Sequence, residues 1–167
     1  ACARFDGTSG RALLNPGAES LPTDAITIES FVYVEESQGA GCIASAFDQH
    51  GERDAGWVLG WQDGRFCFGL SSEDNPGAMT WVTSSVSIEH HRWYHVVGTY
   101  DGREQLLIVD GKDAAAARGE LGVIRNPVTP LVAAAWWQDD AGEHFSPVRI
   151  QELLLYDRAM ETAEAAE

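Results

Sequence analysis

The chain has 167 residues, 44% of them apolar, and a formal net charge of −15 at pH 7. That length suits one domain with a sizeable core, and that apolar content excludes a disordered chain. The acidic balance argues against nucleic acid and anionic membranes as partners, because phosphates attract Lys and Arg, and no run approaches the roughly 20 apolar residues of a bilayer span.

Residues 1–7 (ACARFDG) read as a short edge strand closed by Asp6-Gly7, Asn15-Pro16-Gly17 as a turn, and residues 21–24 as a connection. Residues 25–34 (AITIESFVYV) alternate as a strand should. Ile26, Ile28, Ser30, Val32 and Val34 share one face, and Thr27, Glu29, Phe31 and Tyr33 the other. Both faces carry apolar bulk, so this strand is expected to be central and covered on both sides at one end. A loop over 35–41, a strand over 42–47 and a long polar loop over 48–56 (DQHGERDAG) follow.

The next hairpin has a register that can be argued. With Asp63-Gly64 as a two-residue turn, Gln62 faces Arg65, Trp61 faces Phe66, Leu59 faces Phe68 and Trp57 faces Leu70. The three apolar pairs then share a face, and a one-residue slip would scatter them. On the other face Cys67 meets Gly60, with Cys42 one strand beyond. Two strand spacings, about 9–10 Å, are too long for a Cys42–Cys67 disulfide. Cys2, Cys42 and Cys67 lack metal-ligand spacing and are read as buried free thiols.

Residues 71–77 are a loop and 79–84 a strand. Residues 91–111 (HRWYHVVGTYDGREQLLIVDG) form the centre of an antiparallel sheet: two strands joined at Asp101-Gly102 and closed by Asp110-Gly111, with Trp93 expected in the core beside Trp57 and Trp61. Residues 114–117 continue as a weak strand, 131–136 as a firmer one. Residues 137–144 read as a loop, 148–156 as the last strand, and 160–167 as one short helical turn. About a dozen short strands with almost no helix predict an all-β, two-sheet antiparallel β-sandwich over 1–167.

FDG near the start, then AITIESFVYV, WYHVVGTYDG, LLIVDGK and finally IQELLLYDRAM occur in this order. The series resembles the laminin-G-like jelly rolls of the concanavalin A-like lectin/glucanase superfamily, departing from it at Phe31, Ile108 and Ser146-Pro147. The resemblance implies two packed sheets with adjacent terminal strands, a glycan, polysaccharide or neighbouring-domain partner, an extracytoplasmic setting and a structural Ca²⁺ ion. It also implies a module within a larger protein, which suits a chain that opens on Ala1 rather than Met.

Catalysis is not expected. The superfamily's glucanases set alternating carboxylates on one strand, and a retaining glycosidase holds its two carboxyls about 5 Å apart. Here Glu35-Glu36, Glu73-Asp74 and Asp139-Asp140 are adjacent pairs that point opposite ways on an extended chain. For a cation, Asp48, His50, Glu52 and Asp54 offer alternating ligands in one polar loop. Asp6 is a candidate by the resemblance, with Glu152 and Asp157 weaker ones. His95 is expected as a buried, hydrogen-bonded core residue of its strand rather than a ligand. For a sugar, whose C–H faces stack on aromatic rings, the candidates are Trp136, Trp137, Gln138, Asp139, Asp140 and His144, with Trp81 beside them.

Overall fold

A computed structural model describes residues 1–14, 21–50, 53–75, 78–118, 122–138 and 142–166, with the backbone alone at 50, 53, 113, 114, 137, 138, 142–144 and 166. The expected all-β sandwich is present. One sheet has six antiparallel strands in the order β1 (Ala3–Asp6), β14 (Pro147–Tyr156), β3 (Ile26–Val34), β8 (Arg92–Tyr100), β9 (Glu104–Val109) and β10 (Asp113–Arg118). The second has six in the order β2 (Ala12–Leu14), β11 (Leu131–Ala133), β4 (Ala40–His50), β5 (Arg53–Gln62), β6 (Arg65–Leu70) and β7 (Thr80–Ser87). A separate hairpin pairs β12 (Ala135–Gln138) with β13 (Gly142–Phe145). Helix among the described residues is confined to a 3₁₀ turn, Glu164–Ala166, within the expected helical tail.

The β5–β6 hairpin has the register its sequence dictates, Trp57 opposite Leu70, Leu59 opposite Phe68 and Trp61 opposite Phe66. Its Asp63-Gly64 turn takes φ of 49° and 75°, the paired positive values of a tight hairpin. All six apolar side chains are buried and face Ile26, Ile28, Val32, Tyr94, Val96 and Leu107 of the first sheet. The approach is close enough that a Cβ on Gly98 would stand 2.8 Å from Cγ of Phe68. One buried polar residue ties the sheets together: Gln105 Nε2 donates to the carbonyls of Phe68 at 2.8 Å and Thr80 at 3.1 Å.

β3 is interior, as its two-faced pattern predicts. At its N-terminal end the outer face is covered by the tail, where Met160 and Ala165 pack with Val97, Ile108 and Tyr156. Thr27 Oγ1 and Thr99 Oγ1 lie 2.9 Å apart there, and Thr99 accepts the Met160 N–H.

Four expectations about strands and loops are corrected. Trp93 is not core: it shares the outer face of the first sheet with His95 and is 39% exposed, while Tyr94 takes the inward position. Of the expected loop over 48–56, residues 48–50 and 53–56 are strand. β4 and β5 extend as a paired ribbon past the apolar core, with Gln49 opposite Asp54, and backbone bonding sustains it without apolar alternation. Residues 131–136 are not one strand, because Ala134 adopts φ of 63° and turns the chain off the second sheet. Within the expected loop over 137–144, residues 137–138 and 142–144 belong to β12 and β13, which pair through Trp136–His144 and Trp137–Glu143. The Asn15-Pro16-Gly17 turn, Glu52, Asp139 and Asp140 lie outside the described residues.

Cys42 and Cys67 are buried free thiols in the expected columns, Cys42 opposite Gly60 and Gly60 opposite Cys67. Burial raises both, Cys67 to about 12. Cys2 is exposed, contrary to the buried reading, because it precedes the edge strand β1.

Candidate functional site

The kink at Ala134 helps to build an apolar cleft on the second sheet's outer face. Ala134 N–H donates to the Ile43 carbonyl at 2.9 Å, and the Ala134 carbonyl accepts from Ser146 N–H at 2.9 Å. A left-handed alanine is uncommon, because its Cβ crowds the backbone. Here it sits fully buried, held by bonds on both sides. The β12–β13 hairpin thereby crosses above β4, where two side chains pin it. Ser45 Oγ donates to the Ala135 carbonyl at 3.0 Å, and Ser146 Oγ accepts from Cys42 N–H at 2.6 Å.

The hairpin forms one wall of a cleft of about 200 Å³ and contributes Trp136 to it. The floor is Phe47, Val58 and Cys67, from β4, β5 and β6. Trp81 on β7 stands at the opposite side, 46% exposed. Its cross-strand partner is Gly69, and a Cβ there would lie 2.5 Å from Cζ3 of the indole. The glycine thus lets the six-membered ring settle onto the sheet, as aromatic residues do over strand glycines. Polar groups come from Gln49 and Gln62. Gln49 Nε2 donates to Asp54 Oδ1 at 3.1 Å, which fixes the amide orientation.

Two of the tryptophans singled out from sequence, Trp81 and Trp136, therefore meet in one site. Trp137, Gln138 and His144 lie on β12 and β13, next to Trp136 in chain or register, with backbone alone described. Sequence reasoning missed Gln49, Gln62 and the floor. The available signal was a glycine inside the strand FCFGL, which marks a place where something else approaches closely.

The carboxylates chosen for a cation are not brought together. Gln49 and Asp54 are paired, as are Asp48 and Ala55, so Asp48 and Asp54 project from opposite faces of the ribbon. Asp6 caps its own loop, its Oδ1 accepting from the N–H groups of Thr8 at 2.8 Å, Ser9 at 3.0 Å and Gly10 at 3.1 Å. These bonds, Ser9's the strongest, hold its carboxyl well below the usual carboxylate range. Glu152 and Asp157 are exposed. Among the described residues no three His, Cys, Asp or Glu side chains converge as metal ligands.

His95 is hydrogen-bonded as expected, but on the outer face of the first sheet. Its Nε2 lies 2.8 Å from Glu29 Oε1, and Phe31 stacks on its ring with centroids 4.5 Å apart. Tyr156 donates to the other oxygen of Glu29 at 3.0 Å.

A model of the Concanavalin A-like lectin/glucanases superfamily, of laminin-G type, matches residues 6–166. Among curated proteins, pappalysin-1 of Mus musculus is 29% identical over 136 residues, which are 75% of this chain and 8% of that protein. The chain thus spans less than a tenth of this relative. Among solved structures, the binding domain of Paraclostridial Mosquitocidal Protein 1 superposes with a TM-score of 0.76 at 12% identity, over 99% of this chain and 42% of that one. The heptameric SAP-like pentraxin of Limulus polyphemus gives 0.67 at 19% identity, over 98% and 78%. At such identities the structural matches carry the fold alone.

Proposed function

The chain belongs to the concanavalin A-like lectin/glucanases superfamily as a laminin-G-type domain, and we propose that it is a noncatalytic module that recognises a glycan in the Trp81–Trp136 cleft. The observation that carries this reading is the meeting of two indoles from distant strands over an apolar floor, with amides among them. An aromatic wall takes the C–H face of a sugar, and Gln side chains offer both donors and acceptors to its hydroxyls. Against catalysis, no carboxylate pair lines the cleft among the described residues, whereas glycoside hydrolysis runs on two carboxyls flanking the bond. The short span of pappalysin-1 that is matched supports a module within a larger polypeptide; the family resemblance supports an extracytoplasmic setting.

The test is a glycan array probed with the purified domain, with and without chelator. Binding that persists in chelator supports the cleft as described, and no binding in either condition overturns the glycan reading. In that case the second reading gains, a docking or spacer domain. Its support is the outer face of the first sheet, where Phe31 and Trp93 are each 39% exposed.

A further inference from the structure

Resting on the glycan reading, we infer that the cleft selects an uncharged saccharide and rejects sugars that carry a carboxylate or another anionic group. The first ground is the lining. Among the described residues around the cleft none is a cation. A sugar carboxylate laid over Phe47, Val58 and Cys67 would lose water without gaining an ionic partner, and a charge desolvated in this way is penalised severely. Among the cations whose side chains are described, Arg65 lies across from Gln62 by register. Its guanidinium is committed to the carbonyls of Ser84 and Ser85, along the β7 side.

The second ground is the orientation of Gln49. With Nε2 donating to Asp54, its Oε1 is the atom left on the other side of the amide. An acceptor in that place is satisfied by a hydroxyl, which can donate, and repels a carboxylate, which cannot. Asp54 itself holds a negative charge directly behind that amide. Third, the whole chain carries −15 at pH 7, so an anionic ligand approaches against the overall field. The volume adds a limit on size. At about 200 Å³ the cleft falls below the roughly 300–1,000 Å³ of sites for drug-sized ligands, which suits one sugar ring with its neighbours in solvent.

The experiment compares matched oligosaccharides that differ only in oxidation of one terminal hexose to the uronate, by calorimetry with the intact domain and with its Asp54→Asn variant. The starting neutral compounds are the hits of the array. The wild type should bind the neutral member at least tenfold more tightly. Asp54→Asn should narrow that preference severalfold, by removing the charge and loosening Gln49. Equal or tighter binding of the uronate, reduced at least tenfold by Trp81→Ala, would overturn the inference and leave the glycan reading standing. A preference unmoved by Asp54→Asn would also count against it, since Asp54 and Gln49 would then have no part in selection. If neither member of any pair binds, the glycan reading itself falls and takes this inference with it.

Discussion

The outer faces of the two sheets both expose aromatic rings, yet they are built for different ends. On the first sheet each ring is already engaged by a neighbour. Phe31 stacks on His95, Trp93 lies 5.5 Å from Tyr33 between centroids, and the guanidinium of Arg149 sits 4.8 Å above Tyr33. Among the described residues the tail alone packs over that face, at one end. On the second sheet the β12–β13 hairpin rises over β4, and Trp81 confronts that wall across an apolar floor. Exposure of aromatic area is therefore a poor guide to a binding site by itself. What separates the two faces is the wall, and the wall depends on the turn at Ala134, pinned by Ser45 and Ser146.

The largest expected effect follows from that dependence. Ala134→Val puts a β-branched side chain at φ of 63° in a fully buried position. Backbone strain and overpacking together should cost about 2 kcal/mol or more. Chemical denaturation should show the loss, and glycan affinity should fall further than stability, because the wall shifts. If the variant keeps wild-type stability, Ala134 is not the strained pivot described above. Next in size is the direct comparison of the two faces. Trp81→Ala should weaken glycan binding at least tenfold, while Trp93→Ala, equally conspicuous from solvent, should change it less than twofold. Both should leave the melting midpoint within a few degrees, as surface substitutions do. Equal effects of the two, measured by calorimetry, would erase the distinction between the faces.

Much of this architecture is legible in the sequence, for a reason that also marks where legibility stops. Where a strand is half-buried, alternation and turn chemistry decide its register, as in the β5–β6 hairpin, whose Asp63-Gly64 turn and aromatic pairs allow one alignment. Beyond the core the signal fades. The Gln49–Asp54 ribbon is held by backbone bonds among polar residues, which read as a loop. Parity alone could not say which face of β8 pointed inward, because Trp93 and Tyr94 are both large and aromatic. Of the site, Trp81 and Trp136 were visible as candidates, but their meeting was not. It depends on an alanine in a conformation its type disfavours, fixed by the carbonyl of Ile43 and the N–H of Ser146, both distant in the chain. Local preference is silent on such a position.

The smallest effect probes the ionic bridge beside Tyr33 on the first sheet. Glu35 Oε1 receives Arg149 Nε at 2.9 Å and Arg4 Nε at 3.2 Å. The hydrogen bond from Arg149, with help from Arg4, lowers the Glu35 carboxyl below its usual value of 4.5. Its folded pKa thus lies under the unfolded one. The charged form stabilises the fold fully above about pH 4.5, and that contribution is lost as pH falls through the folded pKa. Replacing Glu35 by Gln removes the titration. The variant should be less stable than the wild type at pH 7 by at most about 1 kcal/mol, since the arginines are largely solvated. The two stability profiles should converge on acidification below about pH 4.5. Asp6, also held low by its hydrogen bonds, titrates in both proteins and cancels from the difference. Profiles that stay parallel down to about pH 3 would mean that the Arg4–Glu35–Arg149 bridge contributes nothing to the fold. The ring of Tyr33 would then rest on Trp93, His91 and Arg149 without help from Glu35.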